Sequence, residues 1–196
     1  TCALPIWAGI DGRFGLLEVF GGKDIEPAAL DADMGRDFAI TRIWVKAYAC
    51  CGLLHSTSHA LEALKAEYKL TPDNVRKIRI LTGERAVDQN SDTDPREPMN
   101  AQYSLQYCAG VAIARDARDP EAYAERNLQD PGIRGVMRKV QLEVDAEMNA
   151  LFPAHFAARV VVNTADGKSV ERTVVDPKGT ASDPLGFDEV AGKFEK

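Results

Sequence analysis

The stretch Ala101 to Ala114 (AQYSLQYCAGVAIA) is almost wholly apolar. A helix that is hydrophobic all round must be covered on every side. This segment therefore predicts a buried central helix, with Tyr103 and Tyr107 as core aromatics, and its flanks supply the cover. Gly52 to Tyr68 predicts a helix with Leu54, Leu61, Leu64 and Tyr68 on one face, ended by Thr71-Pro72-Asp73. Residues 38–48 (FAITRIWVKAY) are rich in β-branched and aromatic residues and predict a strand. Val75 to Leu81 and Lys139 to Val144 alternate as strands. Arg159 to Thr164 and Ser169 to Val175 flank Ala165-Asp166-Gly167-Lys168 as a hairpin. Asp130-Pro131 starts a short helix running to about Met137, and Phe187 to Phe194 predicts another. Residues 83–99 form a polar loop with two prolines, long enough to be functional. Arg115 to Glu121 reads as a solvated helix end. The order β-α-β-α-α-β-β-β-α predicts an α+β fold, a mostly antiparallel sheet with helices packed on it.

Of 196 residues, 45% are hydrophobic, enough for a core that needs no disulfide or metal staple. Lys and Arg number 24 against 30 Asp and Glu, a formal net charge of −6. Without a basic stripe, such a chain is a poor partner for nucleic acid or for anionic lipid. No apolar run approaches the ~20 residues that span a bilayer, and no signal peptide is visible. Cys50 and Cys51 are adjacent, and Cys2 and Cys108 lie apart, a poor disulfide framework. The simplest reading is a reduced, cytoplasmic protein. The Gly-rich residues 1–35, in which Glu26 to Leu30 has room for a helical turn or two, look like the end of a larger element. With Thr1 and no initiator Met at the start, the expectation is the C-terminal part of a longer polypeptide.

The densest chemistry runs from Lys46 to His59 (KAYACCGLLHSTSH), where a strand is expected to end and a helix to begin. Backbone N–H groups at a helix start attract anions, and Lys46 adds a formal positive charge. A cysteine there can have a lowered pKa, and His55 would sit in the first turn. His55, His59 and Glu62 lie roughly opposite the leucine face. The plainer readings are a solvated lysine and two small core cysteines. Ser56 stands where a zinc helix of the His-Glu-x-x-His type needs its glutamate, so no metal site is expected. Phosphate-cradling glycine loops and a nucleophile elbow are also missing.

Three pieces, in order, resemble the MmgE/PrpD family of 2-methylcitrate dehydratases and cis-aconitate decarboxylases. Lys46-x-Tyr48-x-Cys50-Cys51-x-x-x-His55 is similar to its Lys-x-Tyr-Pro-Cys-Cys-x-x-x-His. Ala101-Gln102-Tyr103-Ser104-Leu105-Gln106-Tyr107, preceded by Asn100, is similar to its Ala-Gln-Phe-Ser-Leu-x-Tyr helix. Asp166-Gly167, Asp183-Pro184-Leu185 and Lys193-Phe194 are similar to its closing Asp-Gly, Asn-Pro-Leu-Ser and Lys-Phe. Ala49 stands where the family has Pro, Gly52 where Arg is frequent, and Asp183 where Asn is usual. Cys51 stands where its decarboxylases carry histidine, which points away from decarboxylation.

The resemblance implies a larger all-helical domain before a smaller α+β domain, and a homodimer. Residues 1–35 would be the end of the helical domain and 36–180 the α+β domain. Residues 181–196 would be a helical segment returning to the helical domain. The site would lie between the domains, with further histidines, a lysine and an aspartate supplied by the missing helical half. The implied activity is a lyase acting on a small di- or tricarboxylate without metal or other cofactor, as in 2-methylcitrate dehydration and propionate catabolism. Lys46 and His55 would be catalytic, and Lys46, Cys51 and Gly52 would bind substrate. The isolated chain would be inactive. An epimerase or isomerase acting α to a carboxylate, a non-catalytic anion-binding relative and a plain scaffold domain are the alternatives.

Overall fold

The computed structural model describes residues 9–22, 26 and 32–194. The expected turns at Glu26 to Leu30 and the site of Cys2 fall outside the described residues, apart from Glu26 itself. The chain divides into two compact units, residues 1–43 and residues 44–196.

Among its described residues the first unit contains a short helix, α1 (Leu16–Gly21), which buries Leu17, and a 3-10 turn over Ala39–Arg42. The strand expected over residues 38–48 is not there. Phe38, Ile40, Ile43 and Val45 are exposed. Residues 43–46 carry no regular structure, and Val45 N–H bonds singly to the Gly179 carbonyl. β-branched residues favour an extended chain but need a neighbouring strand to form a ladder, and this segment pairs with no sheet strand.

The second unit is built around one sheet. After a 3-10 turn at Gly52–Leu54 come α2 (His55–Tyr68) and β1 (Val75–Thr82). Then follow α3 (Glu84–Gln89), α4 (Pro98–Gln102), α5 (Leu105–Ala114) and α6 (Pro131–Met137). The chain continues through β2 (Val140–Val144), α7 (Ala146–Ala150), β3 (Ala158–Thr164), β4 (Ser169–Val174) and α8 (Phe187–Phe194). The sheet order is β2-β1-β3-β4. β1 pairs antiparallel with β3, Ile80 opposite Val160, and β3 pairs antiparallel with β4. β2 joins β1 in parallel, Ile78 opposite Val140. The fold is therefore α+β with helices packed on a mixed sheet, and two of its three pairings are antiparallel.

α2 lays Leu54, Leu61 and Leu64 into the core. Each fully buried leucine contributes about 1.5–3 kcal/mol. The helix stops at Lys69, whose left-handed backbone ends it two residues before Thr71, and Tyr68 at its last turn is largely exposed. The apolar stretch 101–114 is not one helix. It breaks between α4 and α5 at Tyr103-Ser104, because the Ser104 hydroxyl accepts from Tyr107 N–H and caps α5. α5 is buried along nearly its whole length. Tyr107 stays in the core, whereas Tyr103, beyond the break, is 48% exposed. The expected loop 83–99 contains α3 and the start of α4. Gly110 lets α5 approach α6 closely, since a Cβ there would lie 2.6 Å from the Ile133 carbonyl oxygen.

Candidate functional site

Residues 44–51 form an irregular strap, bent at 47–50, ahead of α2. It is tied down at Val45, whose N–H donates to the Gly179 carbonyl. Gly179 has φ +98°, and a Cβ on it would fall 2.0 Å from the Val45 carbonyl oxygen, so the close approach needs glycine. Lys46 is the next residue. Its ammonium donates to the Cys50 carbonyl oxygen at 3.1 Å, closing the strap on itself.

The strap borders an open groove of about 360 Å³. Three separated pieces of sequence line it. Lys46, Cys50 and Cys51 come from the strap, Met99, Gln102 and Tyr103 from α4 and the break after it, and Lys193 from α8. Cys51 N–H donates to the Gln102 carbonyl at 2.9 Å, joining the first two pieces. Lys193 Nζ donates to the Lys46 carbonyl at 2.8 Å, joining the third. The lining contains two ammonium groups and no carboxylate. Among the described residues neither ammonium has an ion-pair partner.

Of the expected site residues, the groove brings together Lys46 and Cys51. His55 does not line it. It is buried, edge-on to the Tyr48 ring at 5.3 Å between centroids, and its Nε2 has no hydrogen-bond partner among the described residues. Gly52 is not in the lining either. A Cβ on it would meet only Trp44 Cζ3 at 3.9 Å, so there is room there for a side chain. The helix start is less open to anions than its position suggests, since the Cys51 amide is already spent on Gln102. His59 accepts from Lys178 N–H and is held below the usual histidine range by burial. None of the three histidines lines the groove. Among the described residues no cluster of three His, Cys, Asp or Glu side chains is placed to hold a metal ion.

Cys50 of the strap and Cys108 of α5 are buried free thiols. Cys50 is the more acidic of the two, because a hydrogen bond from Cys108 favours its charged form. Burial pushes Cys108 up, and Tyr123 O–H donates to its sulfur at 3.5 Å.

Beside the groove lies a second constellation that corrects the reading of Arg115 to Glu121 as a solvated end. Arg118 donates to both oxygens of Glu62, at 3.0 and 3.1 Å, and to Glu189 Oε1 at 2.9 Å. Tyr48 O–H donates to Glu62 at 2.7 Å. Burial first, and then the charge of Glu62, push the Tyr48 phenol far up. Burial works against the Arg118 charge, but its bonds to Glu189 and Glu62 more than offset this and raise it. Glu189 also accepts from Gly186 N–H, with Lys178 Nζ 3.4 Å away. The Gly186 amide and then Arg118 hold its carboxyl down at about 2. The helical wheel of α2 pointed to Glu62, but no local signal pointed to its partner Arg118. Lys193 and Gln102 stood in the second and third pieces of the resemblance without a role.

The model of the MmgE/PrpD C-terminal domain matches residues 48–196. A cis-aconitate decarboxylase-like protein, oryM, from Aspergillus oryzae is 26% identical over 183 residues, which cover 87% of this chain and 37% of that protein. A cis-aconitate decarboxylase from Aspergillus terreus is 28% identical over 177 residues, covering 83% of this chain and 35% of that protein. The chain thus spans little more than a third of the length of the curated relatives it matches. With the groove assembled from the same three pieces that carry the sequence resemblance, the chain belongs to the MmgE/PrpD family, and residues 48–196 are its C-terminal domain.

Proposed function

We propose that this chain is the C-terminal domain of a lyase acting on a small di- or tricarboxylate, and that the reaction is elimination of water of the 2-methylcitrate dehydratase kind. The observation that carries this reading is the groove whose two ammonium groups have no ion-pair partner among the described residues, in a protein of net charge −6. Ammonium groups without acid partners keep their donors for anionic ligands. Relatives named as cis-aconitate decarboxylases support carboxylate chemistry.

In the proposed reaction a base removes the proton α to a carboxylate, and the electron pair moves to form the C=C bond. The C–O bond to the hydroxyl breaks, and an acid protonates the departing oxygen as water. Negative charge builds on the carboxylate next to the carbanion, and Lys46 stabilises it there. No histidine or carboxylate lines this groove, and the base and acid are assigned to the helical half with which the site would be shared. His55 is assigned to holding the first turn of α2 against Tyr48, and Cys51 to lining the pocket. Gly52, where the family often carries arginine, leaves room for a side chain outside the groove lining.

The test is Lys46→Ala in the complete enzyme, with turnover of 2-methylcitrate and of cis-aconitate followed by proton NMR. The expected loss is about 10²–10³ in kcat. Near-normal kcat would overturn the role of Lys46. A second reading, decarboxylation, is favoured by the names of the relatives. Turnover of cis-aconitate with release of CO2, and none of 2-methylcitrate, would establish it in place of dehydration.

A further inference from the structure

We propose that Lys193 is a second carboxylate-binding cation of the groove, and that it makes the site selective for ligands with more than one carboxylate. This rests on Lys46 being the first such cation. Lys193 lies in the last turn of α8, opposite the strap, with its ammonium 2.8 Å from the Lys46 carbonyl oxygen. That bond fixes the head of a long side chain and uses one of its three N–H donors, so two remain for a ligand.

The more telling fact is what Lys193 is not paired with. Glu189 lies four residues earlier on the same helix, the spacing at which a glutamate and a lysine normally meet. Here Glu189 Oε1 is taken by Arg118 at 2.9 Å. Its Oε2 accepts from the Gly186 amide at 2.9 Å and has Lys178 at 3.4 Å. The neighbouring network thus draws away the carboxylate that, among the described residues, stands at helical pairing distance from Lys193. Two like charges on one groove repel each other. That costs stability unless a ligand with two negative groups bridges them. A di- or tricarboxylate has that form, and a monocarboxylate answers only one of the two.

The experiment titrates the complete enzyme with citrate and, separately, with propionate, at low ionic strength and followed by calorimetry. Lys193→Met is expected to weaken citrate about tenfold, the equivalent of one charge-assisted hydrogen bond at an exposed site. Propionate should weaken by about twofold or less. Lys193→Arg, which keeps the charge, should hold citrate within about threefold. Lys46→Met should weaken both ligands. If Lys193→Met binds citrate as the unaltered enzyme does while Lys46→Met does not, the second cation is overturned and the first stands. If Lys46→Met also changes nothing, or the unaltered enzyme binds neither ligand, the carboxylate reading of the groove fails, and the role of Lys193 with it.

Discussion

Two sets of charges meet along α8, and they are built on opposite plans. In the Arg118 network each charged group faces an opposite charge. The guanidinium spans Glu62 and Glu189, and Tyr48 completes Glu62. In the groove, Lys46 and Lys193 donate, among the described residues, to backbone carbonyls alone. The first plan satisfies charge within the protein and ties α2 to α8. The second leaves charge unsatisfied and facing open space. A cation paired internally is structural, whereas one held in place but left without an acid is available to a ligand.

The sharpest way to break this contrast is Lys46→Ala. It should cost about 10²–10³ in kcat of the complete enzyme and change the urea midpoint of the chain little, since the side chain is exposed. A large loss of stability with kcat retained would place Lys46 with the structural set. Gly179→Ala tests how the strap is held. The added Cβ meets the Val45 carbonyl at 2.0 Å in a backbone conformation unsuited to alanine. A loss of about 3 kcal/mol in urea unfolding is expected, and an unchanged midpoint would mean that the strap yields freely. Arg118→Met should cost about 1–2 kcal/mol, discounted because the pair is about one-third exposed. Its effect on citrate affinity should come only through α8, so Arg118→Met combined with Lys193→Met should bind no more weakly than Lys193→Met alone. Additive losses would show that Arg118 meets the ligand itself.

The smallest effect concerns pH. Glu189 has its carboxyl held at about 2, against an ordinary 4.5, by the Gly186 amide and then by Arg118. The unfolded chain therefore takes up this proton first as pH falls. The contribution of Glu189 is full above about 4.5 and is lost as pH drops toward 2. Glu189→Gln should make the fall of the urea midpoint between pH 5 and pH 3 shallower. Identical slopes would remove Glu189 from the acid response.

Much of this arrangement was legible in the sequence because its signals are local. The alternation of Val75 to Leu81, the Gly-containing turn between Thr164 and Ser169, and Asp130 before Pro131 each state their structure within a few residues. All three stand in the fold, with Gly167 at φ +85° and Asp130 accepting from two backbone amides. Residues 38–48 misled because strand propensity is realised only beside a partner strand. The 101–114 stretch misled because a single hydroxyl, Ser104, outweighs an apolar pattern by capping a new helix. The site was legible in part. Lys46 and Cys51 stood out by type and position. Arg118 and Lys193 act through contacts 56 and 147 residues away along the chain, which no local pattern carries.

The tight seat of Gly179 on Val45 bears on how any map of tolerated substitutions in this domain should be read. A saturation screen scored on turnover would mark Gly179 as intolerant as a ligand-contacting residue, although it contributes no side chain at all. The footprint drawn from such a screen would extend past the groove to the loop that clamps the strap. Redesign of the groove is therefore better aimed at Met99 and Tyr103, exposed side chains that line it, than at the glycine that fixes where Lys46 begins.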